Sequence, residues 1–168
     1  MSPMNTDGGI HEIPLDDLPG RLWLCGKHVA APDPNGLLDR TGADVLVCLT
    51  ERHELLDRYP HYVHWLVTDG RAVWFPVHDL HAPDLHRARP FYEHLLARLR
   101  NGEGLVVHCA AGIGRAGTTA VALLVLDGWP VDEAVAHVRA HRPMAGPEVG
   151  AQLELVRRLA STRHADPC

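Results

Sequence analysis

The chain has 168 residues, with 16 Lys and Arg against 21 Asp and Glu, a formal charge of −5 with histidine neutral. That length suits one domain able to bury a core without staples, and the acidic balance argues against the footprint of a nucleic-acid binder or a polybasic membrane patch. No apolar run is long enough to span a bilayer and residues 1–10 lack the basic and apolar regions of a signal peptide, so the expected location is the cytoplasm, with no membrane partner.

Residues 1–20 are polar and punctuated by Pro and Gly, with a turn at Asp16-Asp17-Leu18-Pro19-Gly20. They read as a loosely ordered segment before a single domain over 21–162 and a short tail at 163–168. Arg21–Gly26 is a first strand, 30–35 a connecting loop, and Leu37–Thr41 a short helix stopped by Gly42. Asp44–Thr50 is a continuous apolar run rich in β-branched residues, which predicts a strand buried on both faces. Thr50 is expected to cap a helical turn carrying Glu51 and Glu54.

Tyr62–Asp69 reads as a helix stopped by Gly70, and Ala72–Val77 as a strand running into a loop over 78–84. Arg89–Arg100 sets Phe91, Leu95, Leu96 and Leu99 on one face of an amphipathic helix. A strand at 104–108 precedes Arg115–Asp127, a helix apolar nearly all round. Val131–His141 and Val149–Thr162 are two more helices, separated by a loop from Pro143. Strands alternating with helices in short steps predict an α/β fold, a mostly parallel central sheet of four to five strands with helices on both faces. Ligands in such sheets bind at the carboxyl ends of the strands.

The four cysteines, at 25, 48, 109 and 168, have no paired spacing, so neither a disulfide framework nor a zinc ribbon is expected. Cys25 and Cys48 read as buried strand residues; the other reading is a redox partner for Cys109. His137 and His141 stand at helical i, i+4 spacing and read as solvated surface, because no carboxylate or thiol nearby completes a metal ligand set. No metal or cofactor is expected.

The chemistry concentrates in Val106–Thr118, V-V-H-C-A-A-G-I-G-R-A-G-T. A strand feeding a glycine-containing turn into a helix leaves the turn's N–H groups convergent, a nest for an anion. Gly112 and Gly114 permit the backbone angles and close approach of a tight cradle. Cys109 at its centre sits in a positive field that favours the thiolate. Arg115 can fold back and offer a planar two-pronged donor to a tetrahedral oxyanion.

His108-Cys109-Ala110-Ala111-Gly112-Ile113-Gly114-Arg115 resembles the H-C-x-x-G-x-x-R signature of cysteine-dependent protein tyrosine and dual-specificity phosphatases. The resemblance implies the phosphotyrosine-phosphatase fold over roughly residues 20–160. It implies Cys109 as nucleophile and Arg115 as phosphate clamp. The N–H groups of Ala110, Ala111, Gly112, Ile113, Gly114 and Arg115 hold phosphate, and His108 is structural support. The family usually carries Ser or Thr after the Arg, where this chain has Ala116; that hydroxyl assists breakdown of the phosphoenzyme, so a slower second step is expected.

Breaking a phosphate ester also needs a proton for the departing oxygen, and the candidate donors are Asp69, Asp79 and Asp84. Asp79 is preferred because it follows a strand's carboxyl end on a loop. Phe75-Pro76-Val77-His78-Asp79 also resembles the acid loop of dual-specificity phosphatases of the cyclin-dependent kinase inhibitor 3 kind, thirty residues before the cysteine. Gln152 resembles the family's water-positioning Gln at the start of the last helix. Ala110, Ala111 and Ile113 stand where phosphoinositide phosphatases usually place Lys, which disfavours polyphosphorylated inositols. The expected substrate is phosphotyrosine in proteins, with phosphoserine and phosphothreonine also open; the alternatives are a small phosphorylated metabolite and a low-turnover phosphate-binding pseudophosphatase.

Overall fold

The computed structural model describes residues 9–163. Strands β1 (His11–Ile13), β2 (Arg21–Gly26), β3 (Val45–Cys48), β4 (Ala72–Trp74) and β5 (Gly104–Cys109) form one sheet in the order β1-β2-β5-β3-β4. All neighbouring pairs are parallel except β1, which lies antiparallel on β2. Among the described residues seven helices accompany them: α1 (Lys27–Ala30), α2 (Pro34–Thr41), α3 (Pro60–Thr68), α4 (Leu85–Arg100), α5 (Gly114–Leu126), α6 (Val131–His141) and α7 (Gly150–Arg163).

The period of two along each central strand builds the two cores. Leu22 and Leu24, Val45 and Val47, Leu105, Val107 and Cys109 face a cluster shared with α4, α5, α6 and α7. Trp23 and Cys25, Leu46 and Cys48, and Val106 face the other cluster, with α2 and α3. The expected α/β sheet with helices on both faces is therefore the fold. Helix α5 is buried from Gly114 to Val125, in keeping with its all-round apolar sequence. Helix α2 follows its local signals: the Asp33 carboxylate accepts the Gly36 N–H, Pro34 opens the first turn, and Gly42 closes it in the left-handed region at φ 73°.

Several local readings are corrected. Residues 11–13 are not loose but add a fifth strand, with Ile13 fully buried and Glu12 paired to Arg21 at 2.7 Å. The loop at 30–35 shrinks to three residues because α1 and α2 flank it. Thr50 does not cap the following turn; Glu51 and Glu54 form a capping box around a single 3₁₀ turn at Arg52–Glu54. Strand β4 stops at Trp74, ahead of Pro76, which has no N–H to give a ladder. His137 is not free surface: its Nε2–H donates to the Pro14 carbonyl at 2.7 Å and ties α6 to the N-terminal segment. The expected disorder of residues 1–8 and of the tail at 164–168 falls outside the described residues.

Candidate active site

Strand β5 lies between β2 and β3, and the carboxyl ends of all three, with that of β4, open on the same edge. Each delivers one part of the site. The loop from Cys109 into α5 comes off β5, the 3₁₀ turn with Glu54 off β3, the loop with Asp79 off β4, and Gly26-Lys27 off β2.

The cradle is oriented from outside. The Ala110 carbonyl accepts the Lys27 N–H at 3.0 Å, and the Ile113 carbonyl accepts those of Gly117 and Gly146 at 2.9 and 3.1 Å. Arg142 donates to the Ala111 carbonyl through Nη2 at 2.8 Å and to the Gly112 carbonyl through Nε at 2.7 Å. Four successive carbonyls, those of Ala110, Ala111, Gly112 and Ile113, are thus engaged by donors outside the loop, which suits the intervening N–H groups to an anion nest. Gly112 takes φ 75°, and a Cβ there would come within 2.4 Å of the Cys25 carbonyl oxygen, so only glycine fits. Arg142 also donates to the Gly9 carbonyl and to His11 Nδ1, so strand β1 and its approach brace the loop through this one buried side chain.

Cys109 is 3% exposed and faces the α4–α7 side of the sheet, while Cys25 and Cys48 face the other. The sheet stands between them, which removes either as a disulfide partner for Cys109. His108 lies on that opposite face, fully buried. Its Nδ1 is 3.1 Å from the Cys109 carbonyl, which can only accept, so Nδ1 carries the proton and Nε2 accepts from the Tyr62 hydroxyl at 2.6 Å. Burial pushes the imidazole down to about 4, so it stays neutral and holds the strand end in place.

Arg115 is 4% exposed and aimed by Glu54, whose two carboxylate oxygens accept from Nη1 and Nη2 at 2.8 Å each. Nη1 also donates to the Val77 carbonyl at 2.8 Å. Burial, the largest single effect, raises the Glu54 carboxyl, but the hydrogen bonds from Arg115 and the Glu51 N–H, together with the charges of Arg115 and Lys27, outweigh it and hold Glu54 below the usual carboxylate range. Nε of Arg115 is buried and, among the described residues, has no hydrogen-bond partner, the donor such a clamp needs for an oxyanion.

A cavity of about 200 Å³ over Cys109 is lined by Asp79, Leu80, Ala110, Ala111, Gly114, Arg115 and Glu148. Asp79 reaches it from the β4–α4 loop, with Oδ1 3.5 Å from Arg115 Nη2 and accepting the Leu80 N–H at 3.0 Å. Of the other two acid candidates, Asp69 pairs with Arg71 at 3.1 Å and Asp84 precedes α4; neither lines the cavity. Gln152 is not brought to it either. It is buried, its Oε1 accepts the Glu148 N–H at 2.8 Å and its Nε2 donates to the His81 carbonyl at 3.2 Å. It joins the start of α7 to the Asp79 loop.

Ligand atoms of Glu51, His53 and Glu54 lie within 4.8 Å of one another, but the Glu54 oxygens already serve Arg115 and the Glu51 N–H. A cation there would have to displace the clamp.

A cysteine beneath an N–H nest, with an aimed arginine and a loop carboxylate on a parallel α/β sheet, is the architecture of phosphatase domains of the tyrosine and dual-specificity class. The family described as the Swiss Army Knife protein, DSP-PTPase phosphatase domain, matches residues 18–166, and the chain belongs to it. Among solved structures it resembles Tk-PTP in its active form, with a TM-score of 0.68 and 25% identity over 89% of this chain and 96% of that one. It also resembles kinase associated phosphatase carrying serine for its catalytic-site cysteine, with a TM-score of 0.76 over 97% and 99% of the two chains; at 21% identity that likeness speaks to the fold. A dual specificity protein phosphatase 22-B from Danio rerio is 44% identical over 57 residues, a stretch covering 32% of this chain and 30% of that protein. Among the described residues, no helix is long and apolar enough to cross a membrane.

Three residues of the site had no functional reading in the sequence. Glu54 was visible only as a helix-turn acid, Arg142 only as the residue before Pro143, and Glu148 only as a member of the loop ahead of Gln152.

Proposed function

We propose that this chain hydrolyses phosphate monoesters through a phosphocysteine, acting on phosphotyrosine in proteins and on phosphoserine or phosphothreonine as well. The observation that carries the reading is the convergence on one cavity of Cys109, Ala110, Ala111, Gly114, Arg115 and Asp79. Cys109 Sγ attacks phosphorus, the nest and Arg115 hold the equatorial oxygens, and Asp79 protonates the leaving oxygen. Water then releases phosphate. His108 and Arg142 keep the loop in shape.

Leu80, Ala110 and Ala111 give the cavity an apolar rim with no lysine, which suits an aryl phosphate in a protein better than an inositol carrying further phosphates. Ala116, buried without a hydroxyl, favours a slow second step. A thiol nucleophile works where thiols stay reduced, which fits a cytoplasmic enzyme.

The test is p-nitrophenyl phosphate hydrolysis under metal chelation with Cys109→Ser beside wild type. Steady turnover abolished by the substitution supports the reading. A single burst of nitrophenol equal to the enzyme present would reveal a phosphate trap instead, and no release at any substrate concentration would overturn the catalytic assignment.

A further inference from the structure

The turn that carries Asp79 stands in solvent: His78, Asp79, Leu80 and His81 are all exposed. The His81 N–H closes it on the His78 carbonyl at 3.0 Å, and Leu80 takes φ 61°, a backbone region that is unfavourable for leucine and persists only where the surroundings hold it. A turn with so little burial opens readily when left to itself. Its carboxyl nevertheless has to reach a leaving oxygen within hydrogen-bond distance, and a small misplacement there slows the reaction steeply.

Among the described residues two side chains from other elements hold the ends of this turn. At its start, His78 Nδ1 lies 2.6 Å from Glu51 Oε1; a carboxylate oxygen accepts, so Nδ1 donates. The Glu51 N–H donates to Glu54 Oε2 at 2.8 Å, so the Asp79 turn and the aimed Arg115 share one anchor after β3. At its end, Gln152 Nε2 donates to the His81 carbonyl at 3.2 Å. Gln152 is 1% exposed, and its Oε1 accepts the Glu148 N–H at 2.8 Å, which fixes the way the amide faces. A buried amide at the start of α7 thus reaches the turn two residues past Asp79.

We propose that Gln152, with the His78–Glu51 pair, positions Asp79 over the cavity, an inference that rests on the phosphatase reading. Neither Gln152 nor Glu51 lines the cavity. Gln152 acts on the reaction through the His81 carbonyl and the turn, so its contribution is felt wherever Asp79 is needed and nowhere else.

The experiment measures kcat/KM of the full chain on phenyl phosphate and on p-nitrophenyl phosphate for wild type, Gln152→Leu and His78→Leu, each also in an Asp79→Asn background. This quantity covers the steps up to phosphocysteine, so a slow second step does not mask the effect. On phenyl phosphate, whose phenolate departs poorly without a proton, the loss is expected to be about 10-fold in Gln152→Leu and about fivefold in His78→Leu. On p-nitrophenyl phosphate both variants should stay near wild type. In the Asp79→Asn background neither substitution should lower phenyl phosphate cleavage further, because both act through the group already removed.

An equal loss on the two substrates would overturn the proposal by assigning Gln152 to the general integrity of the site. A further loss on top of Asp79→Asn would overturn it as well. So would accumulation of phosphocysteine in Gln152→Leu with kcat/KM unchanged, which would place the amide in the second step. Should Gln152→Leu fail to fold, His78→Leu decides by itself, since its tie is at the surface and the selective loss is read in the same way. Absence of turnover in wild type on either substrate would defeat the phosphatase reading and this proposal with it, an outcome seen without any variant.

Discussion

Glu54 accepts two hydrogen bonds from Arg115 at 2.8 Å each, joining the turn after β3 to the first turn of α5 across 61 positions of sequence. The pair leaves Arg115 Nε without a partner among the described residues, and Arg115 lines the cavity. Replacing Glu54 by Gln puts an NH2 donor against a guanidinium donor and frees the clamp to swing. A hydrogen bond to a charged group contributes about 2 kcal/mol, so kcat/KM is expected to fall about 30-fold. Inhibition by inorganic phosphate should weaken in parallel. Unchanged phosphate inhibition in Glu54→Gln would mean that the clamp is held by Val77 alone.

Asp79→Asn removes the proposed proton donor but leaves the cradle whole. With an alkyl phosphate, whose alkoxide cannot depart unprotonated, kcat is expected to drop about 100-fold or more. With p-nitrophenyl phosphate the loss should be much smaller, because nitrophenolate departs without a proton. An equal loss on both substrates would assign Asp79 to positioning Arg115 instead.

Arg142 is 2% exposed and donates to the carbonyls of Ala111, Gly112 and Gly9 and to His11 Nδ1. Lysine keeps the charge but cannot supply the planar fork. Arg142→Lys is expected to lower stability by about 3 kcal/mol, since it strands buried carbonyls and places an ammonium where a guanidinium fitted. The denaturation midpoint reports the stability loss. Phosphate affinity should fall with it, because Arg142 holds the carbonyls of the loop whose N–H groups are proposed to bind phosphate.

His108 sits at about 4 in the folded chain against an ordinary 6.5. Between those values the unfolded chain takes up a proton that the folded one does not. The contribution is therefore complete above pH 6.5 and is lost as pH falls toward 4, about 3 kcal/mol in all. Chemical denaturation across that range should show the fall in wild type and a flatter curve in His108→Gln, which is less stable at neutral pH. A parallel fall in both would assign the acid sensitivity to other groups.

What the sequence by itself determined is whatever depends on near neighbours. The apolar run of Leu22, Trp23, Leu24 and Cys25, the all-round apolar run of α5 and the stop at Gly42 are local signals, and local geometry obeys them. Cys109, Gly112 and Arg115 were legible for the same reason, since a strand, a tight turn and a helix start bring residues six apart to one point. Tertiary structure decided the rest. Glu54 meets Arg115 across 61 positions, Arg142 meets Gly112 across 30 and Gly9 across 133, and an isolated Glu or Arg carries no periodic pattern that announces its partner. Strand β1 escaped notice because three residues are too short for alternation to stand out, and they are held by pairing with β2 and by burial of Ile13. Gln152 was placed at the right helix start, but its amide is spent on the Glu148 N–H and the His81 carbonyl. Which polar group faces the cavity is settled by how the loop after α6 packs on Gly114, and only the folded chain contains that contact.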